Sequence, residues 1–245
     1  MGVVVPLANE QDTVAELLSR VLAQLTEDDR VFCVVDRASR DDTFALVERA
    51  AQHDPRIVPV WAPENRCVVD AYFRGYREAL AAGCRWILEM DGGFSHLPEQ
   101  IPAFIRAMEE GYDYAAGSRF TRGGGFKGKF SRWCVSKGGT ILSNLMLGTR
   151  MTDMCSGFEC FTREALAHVV AQGVTSRAHF FQTEIRFMLR SWNWVEIPIT
   201  YHGPAKAVPK SSISEAIQTL WSLRNQSCPV EEAEIAPVPQ AEAHG

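Results

Sequence analysis

Apolar and polar positions change period repeatedly along this chain. Residues 2–7 (GVVVPL) form a continuous apolar run of strand length, the pattern of a strand buried on both faces. From 11 to 25, apolar residues recur at Val14, Leu17, Leu18, Val21, Leu22 and Leu25, the spacing of one helical face. VFCVVD then reads as a strand ending in Asp36, and SRDDTFALVERAAQ as a helix with Ser39 or Asp41 near its start. The alternation continues with RIVPVW as a strand and VVDAYFRGYREALAAG as a helix closed by Gly83. WILEMD is the next strand, LPEQIPAFIRAMEEG the next helix, and YDYAAGSR a fifth strand. Strands alternating with helices predict an α/β fold, a mostly parallel central sheet with helices on both faces. Ligands of such sheets bind beyond the carboxyl ends of the strands. Asp36, Asp91 and Arg119 each fall at a predicted strand end, so they are expected to meet in one crevice.

After Arg119 the pattern changes. FTRGGGFKGKFSR reads as a Gly-rich basic loop and WCVSKGGTILSNLMLG as an amphipathic helix. MTDMCSGFECFTREALAHVV reads as a strand or turn entering a helix, FFQTEIRFMLRSW as a helix, WVEIPITYHG as a strand and SISEAIQTLWSLRN as a last amphipathic helix. From Cys228 the chain is rich in Pro, Ala and Glu, the composition of a segment that cannot bury a core. The expectation is one domain over 1–227 and a disordered tail over 228–245.

Composition narrows the class. With 245 residues, 46% hydrophobic and 22% charged, the chain suits a single globular domain. A net charge of −5 disfavours nucleic acid as a partner, because phosphate neutralisation wants a basic surface. The seven cysteines include no CxxC pair, so reduced thiols and a cytoplasmic location are expected. The N-terminal VVVPLANE lacks the charged and apolar regions of a secretory leader. No apolar run approaches the ~20 residues of a membrane-spanning helix.

The stretch ILEMDGGFSH carries the candidate chemistry. An apolar strand ends in Asp91, followed by two glycines. A carboxylate at such a turn suits a hard divalent cation, which would offset the charge of a departing diphosphate. Asp36 either accepts a hydrogen bond from a nucleobase or simply ends its strand; Asp153 and Glu184 read equally well as surface charges. Residues 119–137 hold Arg119, Arg122, Lys127, Lys129, Arg132 and Lys137 and no acid. That island is either a solvated loop or a phosphate clamp. GGGFKGKF nearly satisfies a phosphate-loop motif, but Phe130 stands where Ser or Thr would hold magnesium, and the loop follows the fifth strand rather than the first. The same stretch satisfies GxGxxG only in isolation, so a kinase-like or dinucleotide reading is rejected. His96 lies in the site turn and His202 after the last strand, with no histidine cluster, GxSxG or HExxH to support a hydrolase.

Taken in order, VVVPLANE, VVDRASRDDT, PENRCVVDAYFRGYREA, EMDGGFSHLPEQIP, GSRFTRGG, SRWCVSKGG, DMCSGFECFTREAL and VEIPITY resemble the family-two glycosyltransferases of GT-A fold. The similarity is greatest to dolichol-phosphate mannose synthases and polyprenyl-phosphate glycosyltransferases, and spans about residues 3–225. The resemblance implies a Rossmann-like GT-A domain that transfers a sugar, with inversion, from a GDP-mannose-like or UDP-sugar donor to a polyprenyl phosphate. It implies that Pro6, Asn9, Glu10 and Asp36 line the nucleotide pocket. Asp91 matches the first acid of the family's DxD motif, a ligand of Mg2+ or Mn2+, with Ser95 as a polar ligand. Arg119 matches a phosphate-contacting arginine; Arg132, Ser136 and Lys137 match the acceptor-phosphate and diphosphate side; Lys210 is a retained basic residue near the end. Asp91, Arg119 and Arg132 would thus carry catalysis. An acceptor that is already an anion needs positioning and charge neutralisation rather than a strong base. A lipid-phosphate acceptor and an amphipathic helix at 133–147 together imply peripheral contact at the cytoplasmic membrane face.

Four departures from the family pattern fall at the site. Gly93 replaces the second acid of DxD, Arg37 replaces an acid beside the base pocket, Cys67 replaces a glycine, and AVPKSSIS loses a glycine before Lys210. Glu89 shares a strand face with Asp91 but lies about 7 Å further back. These departures point to a weakly held metal. They also keep two alternatives open: a soluble or modified-base acceptor, and a non-catalytic nucleotide-sugar-binding module.

Overall fold

A computed structural model describes residues 1–203 and 210–225; the side chains of 210–216 and 225 lie outside that description, as does the expected tail. The elements are β1 (Gly2–Leu7), α1 (Val14–Leu22), β2 (Arg30–Val35), α2 (Thr43–Ala51), β3 (Ile57–Trp61), α3 (Val68–Ala81) and β4 (Trp86–Glu89). After a short 3-10 turn come α4 (Ile101–Glu109), β5 (Tyr114–Ser118), β6 (Gly125–Lys127), α5 (Phe130–Leu147), β7 (Glu159–Thr162) and α6 (Arg163–Gln172). The last are α7 (Phe181–Met188), β8 (Trp194–Pro198), β9 (Thr200–His202) and α8 (Lys210–Asn225).

Seven strands form one sheet in the order β3-β2-β1-β4-β7-β5-β8. The pairs β1–β2, β1–β4, β2–β3 and β5–β8 are parallel, and β7 alone runs antiparallel, to both β4 and β5. The mostly parallel α/β sheet expected from the sequence is therefore present. From β1 the chain builds outward to β2 and β3, then returns to place β4 on the opposite side of β1. That reversal makes the carboxyl ends of β1 and β4 a switch point, where open α/β sheets bind ligands.

Burial on both faces explains the unbroken apolar strands. Val3, Val5 and Leu7 of β1 pack with Val14 and Leu17 of α1, Val47 of α2 and Phe104 of α4. Val4, between them, packs with Tyr72 and Tyr76 of α3 on the other face, in the cluster that includes Leu166 of α6 and Ile185 of α7. Gly75 lets α3 lie directly on the sheet, since a Cβ there would strike Val4 and Val34.

Two expectations change. The Gly-rich stretch is not all loop: Gly125, Phe126 and Lys127 pair in parallel with Thr200, Tyr201 and His202 as a separate two-stranded sheet. Three residues are too few to show a period. Helix α5 also begins at Phe130, inside the predicted loop. Likewise WVEIPITYHG is two strands rather than one, because at Ile199 the chain turns its amide back to the Ser118 carbonyl (3.0 Å) before entering β9.

Candidate active site

A crevice of about 640 Å³ opens at the carboxyl ends of β1, β2 and β4. Pro6 and Glu10 line it from the end of β1, Asp36 and Arg37 from β2, and Asp91, Gly93 and Ser95 from β4. Asn65, Arg66 and Cys67 close one side ahead of α3, and Arg132 of α5 and Tyr201 of β9 close another.

Asp91 is the second residue beyond β4 and is held from two sides. Its Oδ1 accepts from the Tyr72 hydroxyl (2.7 Å), and its backbone N–H donates to His96 Nδ1 (3.2 Å). The nitrogen that accepts carries no proton, so the assigned neutral tautomer has its proton on Nε2. Burial lowers the His96 pKa, which keeps the ring neutral near pH 7. The 3.7 Å approach of Asp91 Oδ2 to His96 Nδ1 is then packing rather than an ion pair. The imidazole is buried and stacks on Phe158 with ring centroids 4.9 Å apart. Burial, then the Asp91 charge, pushes the Tyr72 phenol well above its usual pKa, so it stays a donor. With its side chain 33% exposed, Asp91 opens onto the crevice.

Arg119 does not join Asp36 and Asp91 on the crevice wall. It is buried, with Nε and Nη2 donating to the two Asp153 carboxylate oxygens at 2.7 and 2.8 Å. Its guanidinium lies 5.2 Å from the ring centroid of Tyr201, the residue that does face the crevice. The physical reason is Asp153. That carboxylate is fully buried, not on the surface, and draws the nearest guanidinium to itself. Arg119 in turn holds the Asp153 carboxyl down at about 2, against the desolvation that would raise it. Glu184 is likewise buried: it accepts from the Thr175 and Ser176 amides, each at 2.8 Å, and so braces the loop ahead of α7.

The remaining candidates divide. Asp36 lines the crevice while its Oδ1 accepts from the Ala38 amide (2.8 Å). Asn9, at φ 58°, instead ties two loops together, donating to Ala38 O (3.1 Å) and accepting from Arg40 N (3.0 Å). Asn is among the residues that tolerate this left-handed backbone. Ser95 is buried at the crevice wall, and its carbonyl accepts from the His202 amide (2.9 Å). Ser136 Oγ lies 3.4 Å from Arg119 Nη1, and Lys137 Nζ sits 4.6 Å from the Phe120 ring centroid, so the two follow Arg119 rather than Asp91. The Lys210 side chain lies outside the described residues. Sequence reading missed Tyr72 and Tyr201. A tyrosine on the buried face of a helix needs a polar partner, but nothing local names Asp91 as that partner.

Asp91 suits Mg2+ or Mn2+, which are held by one or two carboxylates with phosphate and water oxygens. Gly93 adds no ligand. Among the described residues no group of three or more His, Cys, Asp or Glu side chains could hold an ion. The turn at Gly93 is nevertheless occupied: a Cβ built there falls 3.1 Å from Glu10 Oε1.

A mostly parallel sheet, with an acid-bearing crevice at its switch point, places the molecule in the GT-A class of α/β folds. The chain belongs to glycosyl transferase family 2, whose model matches residues 2–170. It is 30% identical over 233 residues to the polyprenol monophosphomannose synthase of Mycolicibacterium smegmatis, covering 91% of this chain and 87% of that one. It is 29% identical over 228 residues to the undecaprenyl-phosphate mannosyltransferase of Micrococcus luteus, covering 90% and 93%. Among solved structures, glucosyl-3-phosphoglycerate synthase from Mycobacterium tuberculosis in complex with uridine-diphosphate shares the fold, with a TM-score of 0.64 at 17% identity, covering 91% of this chain and 79% of that one.

Proposed function

We propose that this glycosyltransferase moves a sugar, with inversion, from a nucleoside diphosphate sugar to a polyprenyl phosphate at the cytoplasmic face of a membrane. The observation that carries the reading is Asp91, fixed by Tyr72 and His96 and open to a crevice that also holds Asp36 and Arg132. The names of the two mannosyl-transferring relatives support the acceptor class.

In this reading the nucleoside lies against Pro6, Glu10 and Asp36, and its diphosphate reaches Asp91. Mg2+ or Mn2+ at Asp91, with Ser95 nearby, would supply charge neutralisation to the departing diphosphate. Arg132 faces the same cavity from α5, where a guanidinium fork matches the oxygens of the acceptor phosphate. Ser136 and Lys137 extend that phosphate side along the helix. Arg119 works from behind the wall, bracing Tyr201 and Ser136 while Asp153 fixes its own orientation. The acceptor oxygen is already anionic, so orientation and charge do the work that a general base does elsewhere.

The surface beside the crevice fits a lipid acceptor. Helix α5 exposes Phe130, Val135, Ile141, Leu142 and Leu145, and α8 packs on it and exposes Ile217 and Trp221. Lys127, Lys129 and Arg150 are exposed around the ends of α5. An apolar row flanked by basic residues suits peripheral contact with anionic lipid. No helix among the described residues is long and apolar enough to cross a membrane.

The test is calorimetric titration with GDP and UDP, with and without Mn2+, followed by sugar transfer to undecaprenyl phosphate in anionic vesicles. Binding of one nucleotide and transfer to the lipid are expected. Nucleotide binding with no transfer to any phosphate acceptor would favour the non-catalytic module. Binding of neither nucleotide would remove the nucleotide-sugar reading altogether.

A further inference from the structure

We infer that Glu10 is the second carboxylate of the diphosphate–metal site, reaching from the β1 loop into the space that Gly93 leaves open. The inference rests on the nucleotide-sugar reading above and explains how the site works without an acid at position 93. Gly93 stands two residues after Asp91, and its missing side chain would point at Glu10: a built Cβ lies 3.1 Å from Oε1 and 3.8 Å from Oε2. A side chain there would press on the glutamate, so glycine and glutamate fit each other.

Glu10 is also held in this pose. Its backbone N–H donates to Thr43 Oγ1 (2.8 Å), and its Oε2 accepts from Thr13 Oγ1 (2.6 Å). Those bonds leave Oε1 on the Gly93 side. Glu10 and Asp91 line the same crevice from the ends of β1 and β4, which are adjacent parallel strands. Two hard carboxylate oxygens from facing loops, completed by diphosphate and water oxygens, are the donor set that Mg2+ and Mn2+ prefer. An aspartate at 93 would instead set a third carboxylate directly against Glu10.

The experiment measures free Mn2+ by electron paramagnetic resonance during titration of the protein with GDP or UDP present. It uses the wild type, Glu10→Gln, Gly93→Asp and the double variant. Glu10→Gln should weaken Mn2+ binding by about tenfold or more, with a much smaller loss of metal-free nucleotide affinity, since Glu10 also lines the nucleoside wall. The amide can still accept from Thr13, so thermal unfolding should stay at the wild-type midpoint. Adding Gly93→Asp to Glu10→Gln should recover part of the Mn2+ affinity, because the neutral amide no longer repels a carboxylate at 93 and its flexible end can shift from the 3.1 Å contact. Gly93→Asp alone should give no gain.

Unchanged Mn2+ affinity in Glu10→Gln would overturn the assignment. So would an equal loss of nucleotide affinity with and without Mn2+, which would make Glu10 a nucleoside contact only. If wild-type protein binds nucleotide without any help from Mn2+, the assignment falls while the nucleotide reading stands. If it binds neither nucleotide under any condition, both fall.

Discussion

Replacing Arg186 by methionine is expected to cost about 3–5 kcal/mol of stability, the usual penalty for stranding one partner of a buried ion pair. Arg186 is fully buried on α7 and its Nε donates to Glu159 Oε1 at 2.6 Å. Its other nitrogens donate to the carbonyls of Asp153, Gly117 (3.3 Å) and Ser156 (2.9 Å). Methionine fills part of the volume and makes none of these bonds. One charge-assisted bond is worth about 1.5–3 kcal/mol, and each orphaned buried acceptor costs about 1–3 more. Protonation of Glu159 caps the total, which keeps it within the range above. For a domain of this size each kcal/mol moves the melting temperature by roughly 2–4 °C, so a drop of roughly 6–20 °C follows. The assay is urea unfolding at a series of pH values. Burial already pushes the Glu159 carboxyl up, and Arg186 opposes that rise; in the variant the carboxyl should rise further. A carboxyl whose folded pKa exceeds its unfolded value binds protons better when folded, so stability falls as pH rises through the folded pKa. The deficit should therefore be largest at neutral pH and shrink on acidification, and adding Glu159→Gln should recover part of it. A loss under about 1 kcal/mol, or a deficit that neither pH nor the second substitution alters, would refute the reasoning.

Other outcomes follow from single contacts. Tyr72→Phe removes the donor to Asp91 Oδ1 and should weaken Mn2+-dependent nucleotide binding or kcat/KM about tenfold, with the far-ultraviolet circular dichroism unchanged. Asp153, held at about 2 by Arg119, has a folded pKa below its unfolded value. Its contribution is therefore present above the ordinary carboxylate range and lost as pH falls towards 2. Asp153→Asn should flatten the acid limb of the stability–pH curve measured by urea unfolding. Gly75→Ala drives a methyl into Val4 Cγ1 and should cost about 1–3 kcal/mol by overpacking. Gly138→Ala, in α5 with nothing within 4 Å, should raise the thermal midpoint, by roughly 0.5–1 kcal/mol of stability.

Much of the frame was legible because parallel strands buried on both faces and helices with one apolar stripe have distinct periods. Strands β1 to β5 and helices α1 to α4 sit where those periods place them, and β-strand ends bring Asp36 and Asp91 together. What periodicity does not carry is pairing. Nothing in GFK marks a strand until Thr200, Tyr201 and His202 lie beside it. Arg119 was misplaced for a similar reason: a basic residue at a strand end looks solvent-facing until a buried acid 34 positions away claims it. Tyr72 and Gly93 differ in kind. The first acts through a hydroxyl whose partner lies on another element, and the second through the absence of a side chain, which only the position of Glu10 makes meaningful.

The strand that ends in EMD sorts its two acids into different roles. In the β4–β7 register Glu89 lies directly opposite Glu159, a like-charge pair that destabilises a sheet unless it is neutralised. Burial, then the neighbouring Glu159, pushes the Glu89 carboxyl well above the usual range. The shift favours its protonated form; Gln182 Nε2 donates to it at 2.6 Å and the Tyr76 hydroxyl also contacts it. Beside it the Glu159 and Asp153 carboxylates face two buried guanidinium groups, Arg186 and Arg119. That layer reaches the site through Gly157, whose built Cβ lies 3.0 Å from Gln182 Nε2 and 3.9 Å from Asp91 Oδ1. Here Glu89 is fully buried and anchors the sheet, so Asp91, two residues on and open to the crevice, is the acid of this strand that can meet a ligand.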